Sequence, residues 1–244
     1  MKKILISLIL FIAFFVPFTS QAAESSSTDY YLKGDKDSKF SVVTYTDFEC
    51  PFCRNFHETL KNLIEKNKYE DISFSYRMFP LRQIHVNALP AAVAFVCLNK
   101  NSDVNKNIDF SSVIFDQFNS GQIESLDLKD ITKEAGVDEI EFIACVESAE
   151  TEKMILADLE SYTNGIAKNN NFGTPYTVVS YGSKNIIIPG SQPYETVSEQ
   201  IDKFIKDNRP TLSSSEKLEL VGKFFGTQSQ TYKLLKVLID LKRI

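Results

Sequence analysis

Strand-like patterning occurs at only two places in this 244-residue chain, separated by a stretch from residue 81 to about 170 that lacks it. In the first, KFSVVTYTDF (39–48) is rich in Val, Thr and aromatic residues and DISFSYRMF (71–79) alternates, so both read as strands. Between them, PFCRNFHETLKNLIEKN (51–67) sets Phe52, Phe56, Leu60, Leu63 and Ile64 on one face of a helix. Pro51 suits the first helical turn, where its missing N–H would be unpaired anyway. The gap contains NALPAAVAFVCLNK, FSSVIFDQFNSG, DLKDITKEAG and DEIEFIACVESAETEKMILADLESYTNGIAK, which read as several helices with Gly121, Gly136 and Gly165 as stops. Strand character returns in TPYTVVSYG and KNIIIPG, joined by a short turn at residues 180–184, and a helix from about Tyr194 to Lys206 follows. The order predicts an α/β fold in which a β-α-β unit and a β-β-α unit are split by an all-helical segment.

Two of the four cysteines, Cys50 and Cys53, fall at the first strand-to-helix junction. Such a pair can bind a metal, staple a loop or pass electrons. A structural zinc site wants four protein ligands, and the chain has only His57 and His85 and no second CxxC, so no metal is expected. A staple across two intervening residues removes little unfolded-state entropy. A thiolate at a helix N-terminus, by contrast, is stabilised by unpaired backbone N–H groups and the helix dipole. Redox chemistry is therefore the expectation, with Cys50 as nucleophile and Cys53, one turn on, resolving the mixed disulfide. It needs no cofactor, because the electrons reside on sulfur.

The N-terminus supports this through compartment. MKKILISLILFIAFFVPFTSQAA (1–23) has Lys2 and Lys3, an apolar run to about Phe18, then small and polar residues, the layout of a secretory signal peptide. Cleavage is expected after Ala22 or Ala23, with residues 24–29 as a disordered leader. The alternative, a retained anchor, is disfavoured by a run shorter than the roughly 18 residues of a spanning helix. Export to the periplasm or another extracytoplasmic space permits disulfides, and four cysteines allow three pairings. Loss of Lys2 and Lys3 takes the net charge from −5 to −7. An acidic chain without a basic run argues against a nucleic-acid partner.

The motifs carry a family resemblance. Asp47-Phe48-Glu49-Cys50-Pro51-Phe52-Cys53, His85-Val86-Asn87-Ala88 and Gly173-Thr174-Pro175 before a strand are similar to the DsbA-like thiol–disulfide oxidoreductases. The likeness runs from about residue 30 to 208 and implies a thioredoxin fold with an inserted helical subdomain (about 81–170). It implies that Pro175 is cis and that Thr174 and Pro175 position a client chain beside Cys50. Expected partners are unfolded or partly folded secreted proteins and a membrane redox partner. Pro51 and Phe52 form the tuning dipeptide, where strong oxidants of the family have Pro-His. Thr44 stands where many relatives keep a buried carboxylate, although Asp47 and Glu49 lie near, and Thr174 resembles the residue of family isomerases. Forming disulfides is the first expectation; isomerase or reductase activity, or a redox-silent binding protein on this fold, are alternatives.

Cys97 and Cys145 both lie in the helical block. Each can be a small buried hydrophobe. In an oxidising compartment the pair is expected to form a structural disulfide, and similar relatives have Cys at both places. His57 is read as a surface or packing residue, and His85 as capping or packing the first inserted helix. Phe48, Phe52, Tyr176 and Tyr181 are candidates for an apolar peptide surface, with core packing as the default. Residues 209–244 form a C-terminal helical extension, in which Leu234, Leu235, Leu238 and Leu241 share a face. That stripe is expected to pack onto its own domain, with a homodimer contact or a membrane-surface helix as alternatives.

Overall fold

The computed structural model describes residues 29–66, 71–100, 103–118, 125–164, 173–209 and 213–240. The signal peptide, most of the leader and the proposed stops at Gly121 and Gly165 lie outside these residues. The elements are β1 (Tyr30–Lys33), β2 (Phe40–Thr46), α1 (Pro51–Glu65), β3 (Ile72–Met78), α2 (Ala88–Asn99), α3 (Asn107–Asp116), α4 (Leu128–Ala135), α5 (Glu139–Val146), α6 (Ala149–Asn164), β4 (Tyr176–Tyr181), β5 (Lys184–Pro189), α7 (Tyr194–Asn208), α8 (Ser214–Phe225) and α9 (Gln230–Asp240). The five strands form one sheet in the order β1-β3-β2-β4-β5. β2 and β3 run parallel, joined across α1, and the remaining pairs are antiparallel.

The central strand explains the two-sided core. Phe40 and Val42 of β2 pack with Phe56, Leu60 and Leu63 of α1, and with Val197 and Ile201 of α7. Tyr45 and Val43 point the other way, to a smaller cluster with Phe79 and Leu159 of α6. Period-two alternation thus buries both faces. The β4–β5 turn is only Gly182 and Ser183, and Gly182 has φ of 57°, a conformation that a glycine adopts without steric cost.

In the insertion, α2 is apolar on nearly every side (ALPAAVAFVCLN) and buries Ala88, Ala91, Ala92, Val93, Ala94, Phe95, Val96 and Leu98. A helix of that kind needs neighbours all round, and α3, α5 and α6 supply them. Asp127 and Asp138 cap α4 and α5 by accepting N–H bonds from Asp130 and Glu141 at 2.9 Å each.

Three sequence readings change. β1 carried no expectation, because four residues at a sheet edge are too short for alternation to stand out. The stretch 138–168 divides at Glu147 and Ser148 into α5 and α6. The tail does not pack its stripe onto the domain as expected: α8 and α9 lie against each other and neither buries a residue. Leu241 lies outside the described residues, while Leu235 and Leu238 are half-buried and Leu234 is exposed.

Candidate active site

Sheet register assembles the site. β4 pairs antiparallel with β2 and sets Tyr45 opposite Tyr176. The residues just before β4 are thereby brought against the loop that leaves β2. Thr174-Pro175 is a cis peptide, and the Thr174 carbonyl lies 3.6 Å from Cys50 Sγ, which donates to it. Gly190 N–H donates to the Pro175 carbonyl at 2.9 Å and holds this loop to the end of β5.

Cys50 is the N-cap residue of α1, with Pro51 in the first turn. Its carbonyl accepts from the N–H of Cys53 at 3.0 Å and of Arg54 at 3.2 Å. Cys50 and Cys53 are free thiols, 5% and 1% exposed. Asp47 N–H donates to Cys53 Sγ at 3.4 Å. The two thiols titrate in opposite directions. The hydrogen bond from Cys53 is the largest cause that lowers Cys50 from the ordinary 9.0 to about 6; burial opposes it, and Thr174 and the N–H groups of Phe52 and Cys53 reinforce it. Cys53 is pushed well above the ordinary thiol range, first by burial and then by its hydrogen bond to Cys50. The Thr174 hydroxyl favours both thiolates yet closes no hydrogen bond of ordinary geometry. The thiolate form is thus favoured at Cys50 and the protonated form at Cys53.

A carboxylate network missed from the sequence underlies the turn. Asp47 is buried, and its carboxylate accepts from Glu49 N–H (2.9 Å), Leu81 N–H (2.9 Å) and His85 Nδ1 (2.8 Å). Glu49, also buried, accepts the N–H of Asn87 at 2.7 Å through Oε2, while its Oε1 is buried without a hydrogen-bond partner. Asp47 and Glu49 therefore tie the active-site turn to His85 and Asn87 at the start of α2. The signal was legible: D-x-E and H-x-N share a two-residue spacing. His85 accordingly anchors to Asp47 and does not cap α2, whose N-cap is Asn87. Thr44 is buried and shares a 2.9 Å hydrogen bond with Thr177 on the facing strand.

The other candidates divide. Phe52 is 63% exposed beside the cysteines. Phe48 is core, with ring centroids 4.7 Å from Phe115 and 5.0 Å from Phe95. Tyr176 and Tyr181 are half-buried; Tyr176 joins Ile187 and Pro189 in lining a cavity of about 390 Å³ beside Thr174 and Pro175, whereas Tyr181 stacks on Phe40. His57 packs: its Nδ1 meets the Tyr76 hydroxyl at 2.9 Å, its Nε2 meets Ser112 Oγ at 2.8 Å, and burial lowers its pKa to about 3. Cys97 of α2 and Cys145 of α5 are joined as a disulfide with Cα atoms 5.8 Å apart. Among the described residues no cluster of His, Cys, Asp or Glu is placed to hold a metal ion.

The known proteins agree with this architecture. A family model described as Thioredoxin matches residues 26–203, and the chain belongs to that family. Wolbachia pipientis alpha-DsbA1 is similar in structure with a TM-score of 0.60 at 21% identity, over 72% of this chain and 90% of that one. Pseudomonas aeruginosa DsbA2 is similar with a TM-score of 0.58 at 21% identity, over 75% and 98%. Both likenesses are of fold. In sequence, a Rickettsia bellii protein named "Putative protein-disulfide oxidoreductase" is 28% identical over 183 residues, 72% of this chain and 64% of that protein. A Na(+)/H(+) antiporter, NhaA 3 of Salinispora tropica, is 31% identical over 64 residues. The chain spans about a tenth of the length of the antiporter relatives it matches.

Proposed function

We propose that this chain is an exported thiol–disulfide oxidoreductase that forms disulfides in folding secreted proteins. The observation that carries the reading is the split pair: Cys50 lowered to about 6 at a helix N-terminus, Cys53 held protonated beneath it. Stabilising the Cys50 thiolate stabilises the reduced enzyme, so the oxidised form gives up its disulfide more readily.

In the reaction, a client thiolate attacks Cys50 Sγ of the Cys50–Cys53 disulfide. That bond breaks, its electrons pass to Cys53, and Cys53 takes a proton. A second client thiolate then attacks the client sulfur of the mixed disulfide and releases Cys50 as a thiolate. The client loses two electrons and the enzyme gains them. Thr174 and Pro175 position the client backbone, and Pro51 and Phe52 tune the pair. A membrane redox partner reoxidises the cysteines. The working unit is a domain from 30 to 208 with its insertion at about 81–170; residues 1–23 are the export signal and 209–244 an extension. Cys97–Cys145 is structural in this reading.

A second reading, isomerase or reductase, draws on two observations: Thr174 precedes the cis proline, and the exposed Phe52 supplies no cation to Cys50. The test is oxidative refolding of a reduced, denatured protein that regains activity only with its disulfides. The oxidised chain should accelerate regain and the Cys50→Ser variant should not. Acceleration only for a client bearing scrambled disulfides would favour the isomerase. No acceleration of either would contradict exchange chemistry.

A further inference from the structure

The tail has an apolar surface that the fold does not use. α8 and α9 approach closely where Gly222 meets Tyr232: a Cβ on Gly222 would lie 3.1 Å from the Tyr232 ring. Leu218, Val221, Leu235, Leu238 and Ile239 are half-buried. Apart from these stand Phe224 (73% exposed), Phe225 (65%), Leu234 and Val237, each more than half exposed, and Leu220. At 12 and 11 residues the helices are about 18 and 16 Å long, short of the roughly 30 Å of a bilayer core. No helix among the described residues is long and apolar enough to cross a membrane.

Charge selects the occupant. From residue 213 onward the sequence has Lys217, Lys223, Lys233, Lys236, Lys242 and Arg243 against Glu216, Glu219 and Asp240, a net charge of +3. Residues 24–212 carry −10. Pairing two tails in a homodimer sets +3 against +3. The acidic body would complement the tail, yet neither tail helix has a fully buried residue. A surface of aromatic and aliphatic side chains among lysines fits an anionic lipid face, which attracts the tail while it repels the body.

We propose that the α8–α9 hairpin docks this chain on an anionic lipid surface, with Phe224, Phe225, Leu234 and Val237 entering the headgroup boundary. The body would then stand away from the bilayer. The inference rests on the tail surface and does not depend on the redox reading.

The test is co-sedimentation of residues 24–244 with vesicles of phosphatidylcholine plus phosphatidylglycerol, against phosphatidylcholine alone. Binding is expected only to the anionic vesicles and should weaken in high salt. Phe224→Ser with Phe225→Ser, and separately Lys233→Glu with Lys236→Glu, should each lower partitioning at least about tenfold. Because none of the four is buried, circular dichroism and the refolding activity of both variants should match the parent. Absence of vesicle binding, equal binding to neutral vesicles, binding unchanged by the variants, or a dimer in light scattering that they dissociate would each overturn the proposal. A chain that binds vesicles but lacks exchange activity would leave this inference standing and remove the enzymatic one.

Discussion

The chain holds two cysteine pairs in opposite conditions. Cys50 and Cys53 are free, share one helical turn, and sit where a strand, a helix N-terminus and the cis-proline loop meet. Cys97 and Cys145 are bonded, 48 positions apart, and join two helices of the insertion. Closing the short loop constrains little of the unfolded chain, whereas closing the long one constrains much. Surroundings differ as well: the first pair has thiolate-stabilising groups around Cys50, and the second bridges α2 and α5 in the helical block. The two pairs thus differ both in loop length and in the hydrogen bonds around their sulfurs.

The largest expected effect is at the first pair. Cys50→Ser should reduce oxidative refolding to the uncatalysed rate and, at about pH 6 or below, leave the denaturation midpoint of the reduced protein nearly unchanged. Replacing Cys97 and Cys145 by Ala should do the reverse, costing about 4 kcal/mol in denaturant unfolding with thiol exchange at Cys50 retained. Loss of exchange in that double variant would break the division between the pairs.

Asp47→Ala tests the link from the active-site turn to the insertion. It strands the buried N–H of Glu49, the half-buried N–H of Leu81 and the ring of His85. A cost of about 3 kcal/mol is expected by thermal or chemical unfolding.

A pH-dependent effect follows from titration. Cys50 has a folded pKa of about 6 against an ordinary 9.0. A lowered acid contributes stability that is full above the unfolded value and is lost as pH falls through the folded one. The advantage of the reduced parent over Cys50→Ser should therefore grow from about pH 6 toward pH 9. The raised Cys53 works against stability only above the ordinary thiol range. Alkylation of Cys50 should reach half its maximal rate near pH 6. A midpoint near the ordinary 9.0 would remove the asymmetry within the pair.

The smallest effect on stability belongs to Phe52→His. The side chain is mostly exposed, so unfolding should shift by less than about 0.5 kcal/mol. A protonated imidazole there would still favour the Cys50 thiolate, and the glutathione equilibrium should move toward a stronger oxidant.

Much of this was legible where patterns are local. Val, Thr and aromatic content located β2, alternation located β3, strand character on either side of a short turn located β4 and β5, the apolar spacing located α1, and CPFC at a strand-to-helix junction located the thiols. What escaped depends on distant partners. β1 is four residues long and owes its place to pairing with β3. The contact between Asp47 and His85 spans 38 positions, and nothing local in either segment announces it beyond a matching two-residue spacing. The tail shows the opposite failure: an amphipathic stripe says that a face is apolar, and leaves open what covers it.

The division between the pairs is most directly tested by equilibrating the oxidised protein in graded glutathione buffers, trapping thiols by alkylation and reading each cysteine peptide by mass. Cys50–Cys53 should interconvert reversibly, with a midpoint between about −120 and −200 mV, while Cys97–Cys145 stays bonded throughout. Titration of Cys97–Cys145 in the same range, or a Cys50–Cys53 pair that does not respond to glutathione, would contradict that division.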